Sequence, residues 1–332
     1  MVSSKYNLNS PVVSVCVQTY QHASYIRNAL DSILMQQTNF DFEIVLGEDE
    51  STDGTRDICI EYAKKYHEKI RLFLNSRKNV IYIDGRPTGR WNFLNNLKNA
   101  RGKYIALLPG DDYWTDPLKL QRQVTLLDQH PELVSCFHWA DWLLDDTGEI
   151  ASWKYGPPEV KATYSLNDLL RFRNFIPTCS ALFRNNRIKK FPDWYYKVDI
   201  GDLPLHMILA QYGEIGFVDK VMAVSRRHLG GMYGGNSLYN NLHVSLRAFT
   251  YTGRNMELNK RESYRIGLAS LYRDLTRASS QGNKVFESIL NGIRAIVTAP
   301  MSLKGVFGYR ILKILCAMPY KILRNLTAEL WL

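Results

Sequence analysis

Cysteine is scarce in this chain, and the few cysteines are scattered. There are five among 332 residues, an odd number, and no two of them form a C-x-x-C pair. This spacing argues against a disulfide framework and against a zinc site. Free thiols are typical of a reducing compartment, so we expect the protein to be cytoplasmic.

Long apolar runs are also missing. A membrane-spanning helix needs roughly 18 uncharged apolar residues, and no stretch of the sequence approaches that length. The first 11 residues are polar and lack the apolar segment of a signal peptide. Low-complexity segments and repeats are absent as well. With 45% hydrophobic and 22% charged residues, the composition is that of a soluble globular protein with one large or two ordinary domains.

Charge is unevenly distributed along the chain. The net charge is +10, and residues 231–332 contain 14 Lys and Arg against 5 Asp and Glu, so +9 of it lies in that part. We therefore predict two parts, 1–230 and a mainly helical, basic 231–332. A basic face of this kind can meet nucleic acid, anionic lipid headgroups or only water.

Apolar strands alternate with helices along most of the chain. The predicted strands are 12–17, 42–46, 70–74, 104–108, 133–144 and 215–225. The predicted helices are 25–35, 56–67, 91–100, 117–130 and 203–212. This alternation predicts an α/β fold, with a mostly parallel sheet and helices on both faces. From about residue 240 the pattern is helical to the end.

Asp111 and Asp112 follow the strand 104–108 after a Pro-Gly turn signal. Adjacent carboxylates repel each other unless a cation or a hydrogen-bond donor lies beside them. Ligands of open α/β sheets bind beyond the carboxyl ends of the strands. The pair therefore indicates a divalent cation that holds an anionic substrate. The alternative is a solvated turn that caps the helix beginning near Pro117.

Five short segments, in a fixed order on this alternation, resemble the family 2 glycosyltransferases. The resemblance covers roughly residues 12–231. The segments are VSVCVQTY at 13–20, EIVLGEDESTDGT at 43–55, GKYIA at 102–106 leading into GDDYW at 110–114, GDLPL at 201–205, and RRH at 226–228. Each segment alone is weak, but their combination in this order is specific.

The resemblance implies a GT-A fold with a C-terminal helical extension, in which residues 1–230 form the catalytic domain. It implies an inverting, metal-dependent transfer of a sugar from a nucleoside-diphosphate sugar to an acceptor hydroxyl. The expected setting is O-antigen or capsule polysaccharide biosynthesis, with a lipid-linked acceptor. The nucleotide-sugar-binding residues that it implies are Thr19, Tyr20, Gln21, Asp49, Asn92, Asp111, Asp112 and Arg226.

The same resemblance places a metal ion at Asp111, with His228 as a second ligand and Mn²⁺ or Mg²⁺ as the ion. Many family members have a further acidic residue two positions before this aspartate. Pro109 stands there in this chain and offers no ligand. We therefore expect Asp111, His228 and the diphosphate, with Asp112 as a further candidate, to hold the ion.

Asp202 matches the catalytic acidic residue of the family, and we predict that it is the general base. The following Leu203 and Pro204 also suit a helix N-cap at Asp202, so both roles stay open. Asp199 is the reserve candidate. Ser51 and Asp53 are predicted to be turn and cap residues.

The segment 303–323 mixes apolar residues with Lys and Arg at helical spacing. Basic amphipathic stretches of this kind lie on anionic membranes. We predict peripheral contact with the inner face of the cell membrane; the alternative is a helix packed on the catalytic domain or at a dimer interface.

Three rival functions fit parts of the sequence. A sugar nucleotidyltransferase needs a Gly-rich phosphate loop after the first strand, where this chain has Gln18-Thr19-Tyr20-Gln21. A nucleic-acid-binding protein would explain the positive charge, but that charge lies away from the aromatic clusters, and we expect no nucleic-acid partner. A catalytically inactive scaffold is the third rival, because of Pro109.

Overall fold

The computed structural model describes residues 10–145, 147–151, 154–188, 190–231, 234–281 and 285–299. The chain forms two compact units. The first contains the residues up to 169 together with 174–234, and the second contains 170–173 and the residues from 235 onward.

The secondary structure of the described residues follows the predicted alternation closely. The strands are β1 (Val13–Thr19), β2 (Phe42–Glu48), β3 (Ile70–Leu74), β4 (Ile81–Ile83), β5 (Arg86–Thr88), β6 (Tyr104–Leu107), β7 (Tyr113–Trp114), β8 (Leu133–Leu144), β9 (Glu149–Ile150), β10 (Thr163–Tyr164), β11 (Leu182–Arg184) and β12 (Glu214–Arg227). The α-helices are α1 (Ile26–Leu34), α2 (Thr55–Lys65), α3 (Arg90–Asn99), α4 (Lys119–Gln129), α5 (Leu166–Phe172), α6 (Asp202–Leu209), α7 (Leu238–Asn255), α8 (Glu262–Gln281) and α9 (Val285–Thr298).

The main sheet has the strand order β10-β12-β8-β11-β6-β1-β2-β3. Strands β6, β1, β2 and β3 are parallel to one another, and β12 is parallel to β8. The predicted α/β fold with a mostly parallel sheet is therefore confirmed. Because parallel strands end at the same edge, the loops after β1, β2 and β6 lie side by side.

One close approach joins the sheet to the helix α3. A Cβ atom on Gly47 of β2 would lie 1.9 Å from the Oδ1 atom of Asn92. Only glycine leaves room there, and the Nδ2 atom of Asn92 donates to the carbonyl of Gly47 at 2.9 Å. The Oδ1 atom of Asn92 accepts a hydrogen bond from the Nδ2 atom of Asn75 at 3.0 Å. Asn92 thus fastens α3 to the sheet.

Strand β11 was not predicted from the sequence. It lies between β6 and β8 and is antiparallel to both, with Leu182 opposite Ala106 and Cys136. Three residues are too few for a periodic pattern, so neighbouring strands, rather than local sequence, determine this strand. The hairpin of β4 and β5, a separate two-stranded sheet, was missed for the same reason.

The end of β12 lies beside the aspartate pair. β12 is antiparallel to β7, with Val224 opposite Tyr113. The backbone N–H of Arg226 donates to Asp112 at 2.8 Å. Residues 226–228 are therefore brought to the carboxyl edge of β6, although more than 100 residues separate them from Asp111 in sequence.

The second unit contains α7, α8 and α9, as the helical pattern after residue 240 predicts. Phe249 of α7 stacks on Tyr264 of α8, with ring centroids 4.9 Å apart. Arg173 forms an ion pair with Asp274 at 2.8 Å. Among the described helices, none combines the length and the apolar character that spanning a membrane requires. The predicted amphipathic segment 303–323 lies outside the described residues.

Candidate active site

A cavity of about 420 Å³ lies where β1, β2 and β6 end, within the size range of small-molecule sites. It collects residues from loops that are distant in sequence. The predicted site residues that line it are Thr19, Tyr20, Asp49, Asn92, Asp111, Asp112, Asp202, Arg226 and His228. Arg90, Thr178 and Asp199 line it as well.

Asp111 lies against two imidazoles in this cavity. The Oδ2 atom of Asp111 is 3.1 Å from the Nε2 atom of His228 and 3.9 Å from the Nε2 atom of His22. One ligand atom from each of the three residues lies within 4.8 Å of the others. His228 was predicted as a partner of Asp111, whereas His22 was not. Carboxylate and imidazole groups are both ligands of divalent metals, so this cluster fits the ion that the sequence predicted.

The surroundings keep Asp111 ionised. Burial alone disfavours its charge, but the hydrogen bond with His228 and the nearby positive potential of both histidines lower its pKa. Burial also lowers the pKa of His22, against the opposing effect of Asp111. Histidine in its neutral form has a nitrogen lone pair and an ionised carboxylate has oxygen lone pairs, and both groups bind cations.

Asp112 and Arg226 mainly hold the site together. Burial and the adjacent Asp111 raise the pKa of Asp112, whose Oδ1 atom accepts from the Arg226 backbone. The Arg226 side chain donates to the carbonyl of Asp111 at 3.0 Å and to the carboxylate of Asp145 at 3.1 Å. Its guanidinium also lies 4.8 Å from the ring centroid of Tyr25. Both residues line the cavity, but several of their hydrogen-bonding atoms are already bonded to other protein groups.

Asp49 forms an ion pair with Arg77, a residue that was not predicted from the sequence. The Oδ2 atom of Asp49 accepts from Arg77 at 2.8 Å. The Arg77 guanidinium lies over the ring of Tyr20, 4.2 Å from its centroid. Burial raises the pKa of Asp49, and Arg77 opposes that shift. Tyr20 is 41% exposed, so this arrangement leaves an aromatic face at the rim of the cavity.

Gln21 is the one predicted donor-site residue that does not line the cavity. Its amide oxygen accepts from the backbone of Thr52 at 2.8 Å, and its backbone N–H donates to Ser51 at 2.9 Å. Its φ of 55° turns the chain in the left-handed region. These contacts direct the side chain of Gln21 toward the neighbouring loop. Asp53, whose Oδ1 atom accepts from the backbone of Thr55, is a turn residue as predicted.

Asp202 stands at the first position of α6, and Gly201 occupies the N-cap position. The Oδ2 atom of Asp202 accepts from Asn174 and from Thr178, each at 3.0 Å. The Oδ1 atom accepts from the backbone of Leu203 at 2.7 Å. The predicted N-cap role of Asp202 is therefore wrong, because Gly201 takes that position. The carboxylate lines the cavity, and its role as general base stays a prediction.

The loop with Gly230, Gly231 and Gly234 also lines the cavity. In the sequence, Gly230-Gly231 and Gly234-Gly235 bracket this loop, and such a pattern predicts a loop that can close over the donor. Residues 232 and 233 lie outside the described residues, so closure remains a prediction.

Two of the missed residues carried a usable signal. His22 follows β1 by three residues, and β1 is the neighbour of β6, which leads to Asp111. Arg77 follows β3, the neighbour of β2, which leads to Asp49. In a parallel sheet, loops that follow adjacent strands meet, so the strand order would have predicted both pairs.

Comparison with known proteins identifies the family. The family described as Glycosyl transferase family 2 matches residues 14–187. The chain belongs to glycosyltransferase family 2. The match includes the loop of His22 and the aspartate pair, and it ends before Asp202 and His228.

Curated relatives include an uncharacterized protein and a protein named as a glycosyltransferase. An uncharacterized protein of Mycobacterium tuberculosis (strain H37Rv) is 38% identical over 221 residues, which are 67% of this chain and 60% of the relative. This chain thus spans less than two thirds of that relative. A Bacillus subtilis protein, TuaG, named as a teichuronic acid biosynthesis glycosyltransferase, is 32% identical over 117 residues, 35% of this chain and 42% of TuaG.

Solved structures share the GT-A fold. A mannosyltransferase of Pyrobaculum calidifontis, in complex with GDP-Man and Mn²⁺, has a TM-score of 0.55 at 16% identity, over 96% of this chain and 84% of that chain. TarS 1-349 of S. aureus, in complex with UDP-GlcNAc, has a TM-score of 0.51 at 15% identity, over 86% and 91% of the two chains. The expected GT-A fold is therefore confirmed.

Proposed function

We propose that this chain is an inverting glycosyltransferase that moves a sugar from a nucleoside-diphosphate sugar to an acceptor hydroxyl. The observation that carries the proposal is one cavity that joins Asp111, within the family 2 match, to Asp202. Asp111 can hold a metal ion and, through it, a diphosphate, and Asp202 can accept a proton. We assign catalysis to residues 1–230 and contacts with the acceptor, a membrane or another copy to 231–332.

The nucleotide is assigned to the side of the cavity near Asp49. The carboxylate of Asp49 can accept from a base N–H or a ribose hydroxyl, and the exposed face of Tyr20 can stack on a planar base. Arg77 holds both residues in place through its ion pair and its position over the Tyr20 ring. We therefore expect discrimination between nucleoside diphosphates to depend on this corner.

The diphosphate is assigned to Asp111 and His228, which would hold Mn²⁺ or Mg²⁺. When bound, the ion supplies positive charge that stabilises the departing diphosphate. The chain contributes a carboxylate kept ionised by His228 and a backbone fixed by Arg226. This organisation orients the carboxylate before the donor arrives, which reduces the reorganisation needed during transfer.

Asp202 is assigned as the general base. It takes the proton of the acceptor hydroxyl while the acceptor oxygen forms a bond to the anomeric carbon. The bond between that carbon and the diphosphate oxygen breaks, and the nucleoside diphosphate leaves with the electron pair. Attack on the face opposite the leaving group inverts the anomeric centre. The hydrogen bonds from Asn174 and Thr178 fix the carboxylate for this role.

The acceptor is assigned to the class of lipid-linked sugars used in polysaccharide biosynthesis. TuaG, named for teichuronic acid biosynthesis, supports the setting in polysaccharide biosynthesis. The excess positive charge of residues 231–332 supports a place at an anionic membrane surface, since each cation near such a surface contributes roughly 1 kcal/mol.

A thermal-shift screen tests the donor class. Nucleoside diphosphates and nucleoside-diphosphate sugars are each added to the full chain, with Mn²⁺ and with EDTA. A ligand that binds only the folded state raises the melting temperature by mass action. We expect the nucleotides of one particular base to raise it, and only when Mn²⁺ is present. If no nucleotide shifts the melting temperature in either condition, the protein does not act on this class of donor.

A further inference from the structure

We propose that His22 is a third protein ligand of the divalent ion, and that two imidazoles and one carboxylate make this site select Mn²⁺ over Mg²⁺. The inference rests on the proposed function and specifies its metal. The three ligands come from three separate places, namely the loop after β1, the turn between β6 and β7, and the residue after β12.

The distances of the two histidines from Asp111 are those of ligands that share one ion, and all three ligand atoms lie within 4.8 Å of one another. Ligand atoms about 2.1 Å from a metal lie roughly 3 to 4 Å from one another. The separations from the Oδ2 atom of Asp111 are 3.1 Å to His228 and 3.9 Å to His22. The second distance is too long for a hydrogen bond, and among the described residues the His22 side chain forms none. A partly buried imidazole that faces a carboxylate across 3.9 Å leaves space for an ion between them.

The backbone around His22 is built to hold it there. Its N–H donates to the Thr55 side chain at 2.8 Å, and its carbonyl accepts from the backbones of Tyr25 and Ile26 at 2.9 Å each. These bonds anchor the start of α1. His22 is therefore placed by three hydrogen bonds of its own backbone, while its ring is left for another partner.

Gly110 permits the two loops to approach each other. A Cβ atom at this position would lie 2.8 Å from the Oγ1 atom of Thr19 and 3.1 Å from the Nδ1 atom of His22. Any side chain would push the loop after β1 away from the turn that carries Asp111. The glycine thus maintains the separation at which His22 and Asp111 reach the same ion.

The donor set determines which ion is preferred. Pro109 has no ligand atom, and one oxygen of Asp112 is occupied by the backbone of Arg226. Asp111 is then the principal carboxylate of the site, and the other two donors are nitrogens. Mg²⁺ prefers oxygen ligands and binds imidazole poorly, whereas imidazole suits first-row transition ions such as Mn²⁺.

The test is electron paramagnetic resonance of Mn²⁺ titrated into the metal-free full chain without nucleotide. We expect pulsed spectra with coupling to two histidine nitrogens in the unaltered protein and to one in His22→Ala. We also expect a Kd for Mn²⁺ at least about tenfold higher in that variant, as for the loss of one metal contact. His67→Ala, an exposed histidine, is the matched control. Millimolar Mg²⁺ should displace little Mn²⁺ from the unaltered protein.

Two outcomes overturn the inference: coupling to a single nitrogen in the unaltered protein, or equal Mn²⁺ affinity in the unaltered protein and His22→Ala. The first needs no variant, so it holds even if His22→Ala folds poorly. Failure of the proposed function is separate, because it would appear as two-nitrogen Mn²⁺ binding without turnover of any nucleoside-diphosphate sugar.

Discussion

The hydroxyl of Thr178 donates a 3.0 Å hydrogen bond to the carboxylate of Asp202 inside the cavity. Asn174 donates to the same oxygen at an equal distance. A carboxylate bound in this way has a fixed direction, and Asp202 lines the cavity. The relationship suggests that Thr178 is a positioning residue for the proton acceptor.

Replacing Thr178 by Val removes the hydroxyl and keeps the shape of the side chain. The loss of one hydrogen bond to a charged group is worth about 1.5 kcal/mol or more, so we expect kcat to fall roughly tenfold or further. The KM for the donor should change little, and Thr178→Ser should restore most of the rate. If Thr178→Val raises KM and leaves kcat unchanged, the residue binds substrate instead.

Asp202→Asn keeps the helix contact and removes the proton acceptor. We expect kcat to fall by about 100-fold or more, the usual contribution of a general base, while nucleotide affinity is retained. The exposed Asp193→Asn, nearby in the chain, is the control. The anomeric configuration of the product, followed by NMR, should be opposite to that of the donor. Turnover close to that of the unaltered protein would reject the assignment and would also disfavour inversion through this residue.

Lys119 is fully buried over the ring of Trp114, 3.9 Å from its centroid, and burial lowers its pKa to about 7. In the unfolded chain Lys119 keeps its proton up to about pH 10.5. Between pH 7 and pH 10.5, folding therefore releases the proton of Lys119. Stability therefore rises with pH, by about 2 kcal/mol from pH 7 to pH 9 for this group.

Lys119→Met should accordingly raise the melting temperature at pH 7, with a smaller gain at pH 9. Melting curves of both proteins at the two pH values check this, with the exposed Lys64→Met as control. If Lys119→Met melts below the unaltered protein at pH 7, or if its gain in melting temperature is the same at both pH values, then burial of the Lys119 ammonium does not destabilise the fold.

The basic segment 303–323 gives a prediction about membranes. Reversing Lys304, Arg310 and Lys313 to Glu should lower binding to vesicles of anionic phosphatidylglycerol by tenfold or more, since each cation contributes roughly 1 kcal/mol. Flotation of the full chain with vesicles measures this, with Lys64→Glu and Lys65→Glu as the charge control. Equal binding of the triple variant, or equal binding to uncharged vesicles, would favour packing of this segment on protein.

The sequence predicted the strands and helices that carry the site, because each is long and apolar enough to show its period. β8 was predicted with its observed bounds, Leu133–Leu144. The order of strands was not predicted. β11 and the pairing of β12 with β7 depend on contacts between residues far apart in the chain, and no local pattern records such contacts.

The candidate site was predicted in the same uneven way. Asp111 and His228 follow predicted strands, Asp202 precedes a predicted helix, and the structure brings all three to one cavity. Gln21 turns away because a positive φ and a bond to Thr52 redirect it. Arg77 was missed because its ion pair with Asp49 joins two loops, and this pairing follows from the strand order, which was not predicted.

Calorimetric titration of a nucleoside diphosphate into the full chain tests the central claim most directly. UDP and GDP are each titrated with Mn²⁺, with EDTA and into Asp111→Ala. The account predicts that one of them binds the unaltered protein with Mn²⁺, and that both EDTA and Asp111→Ala weaken this binding by at least about tenfold, as expected on losing a metal contact. Binding of the same strength in all three conditions would contradict it.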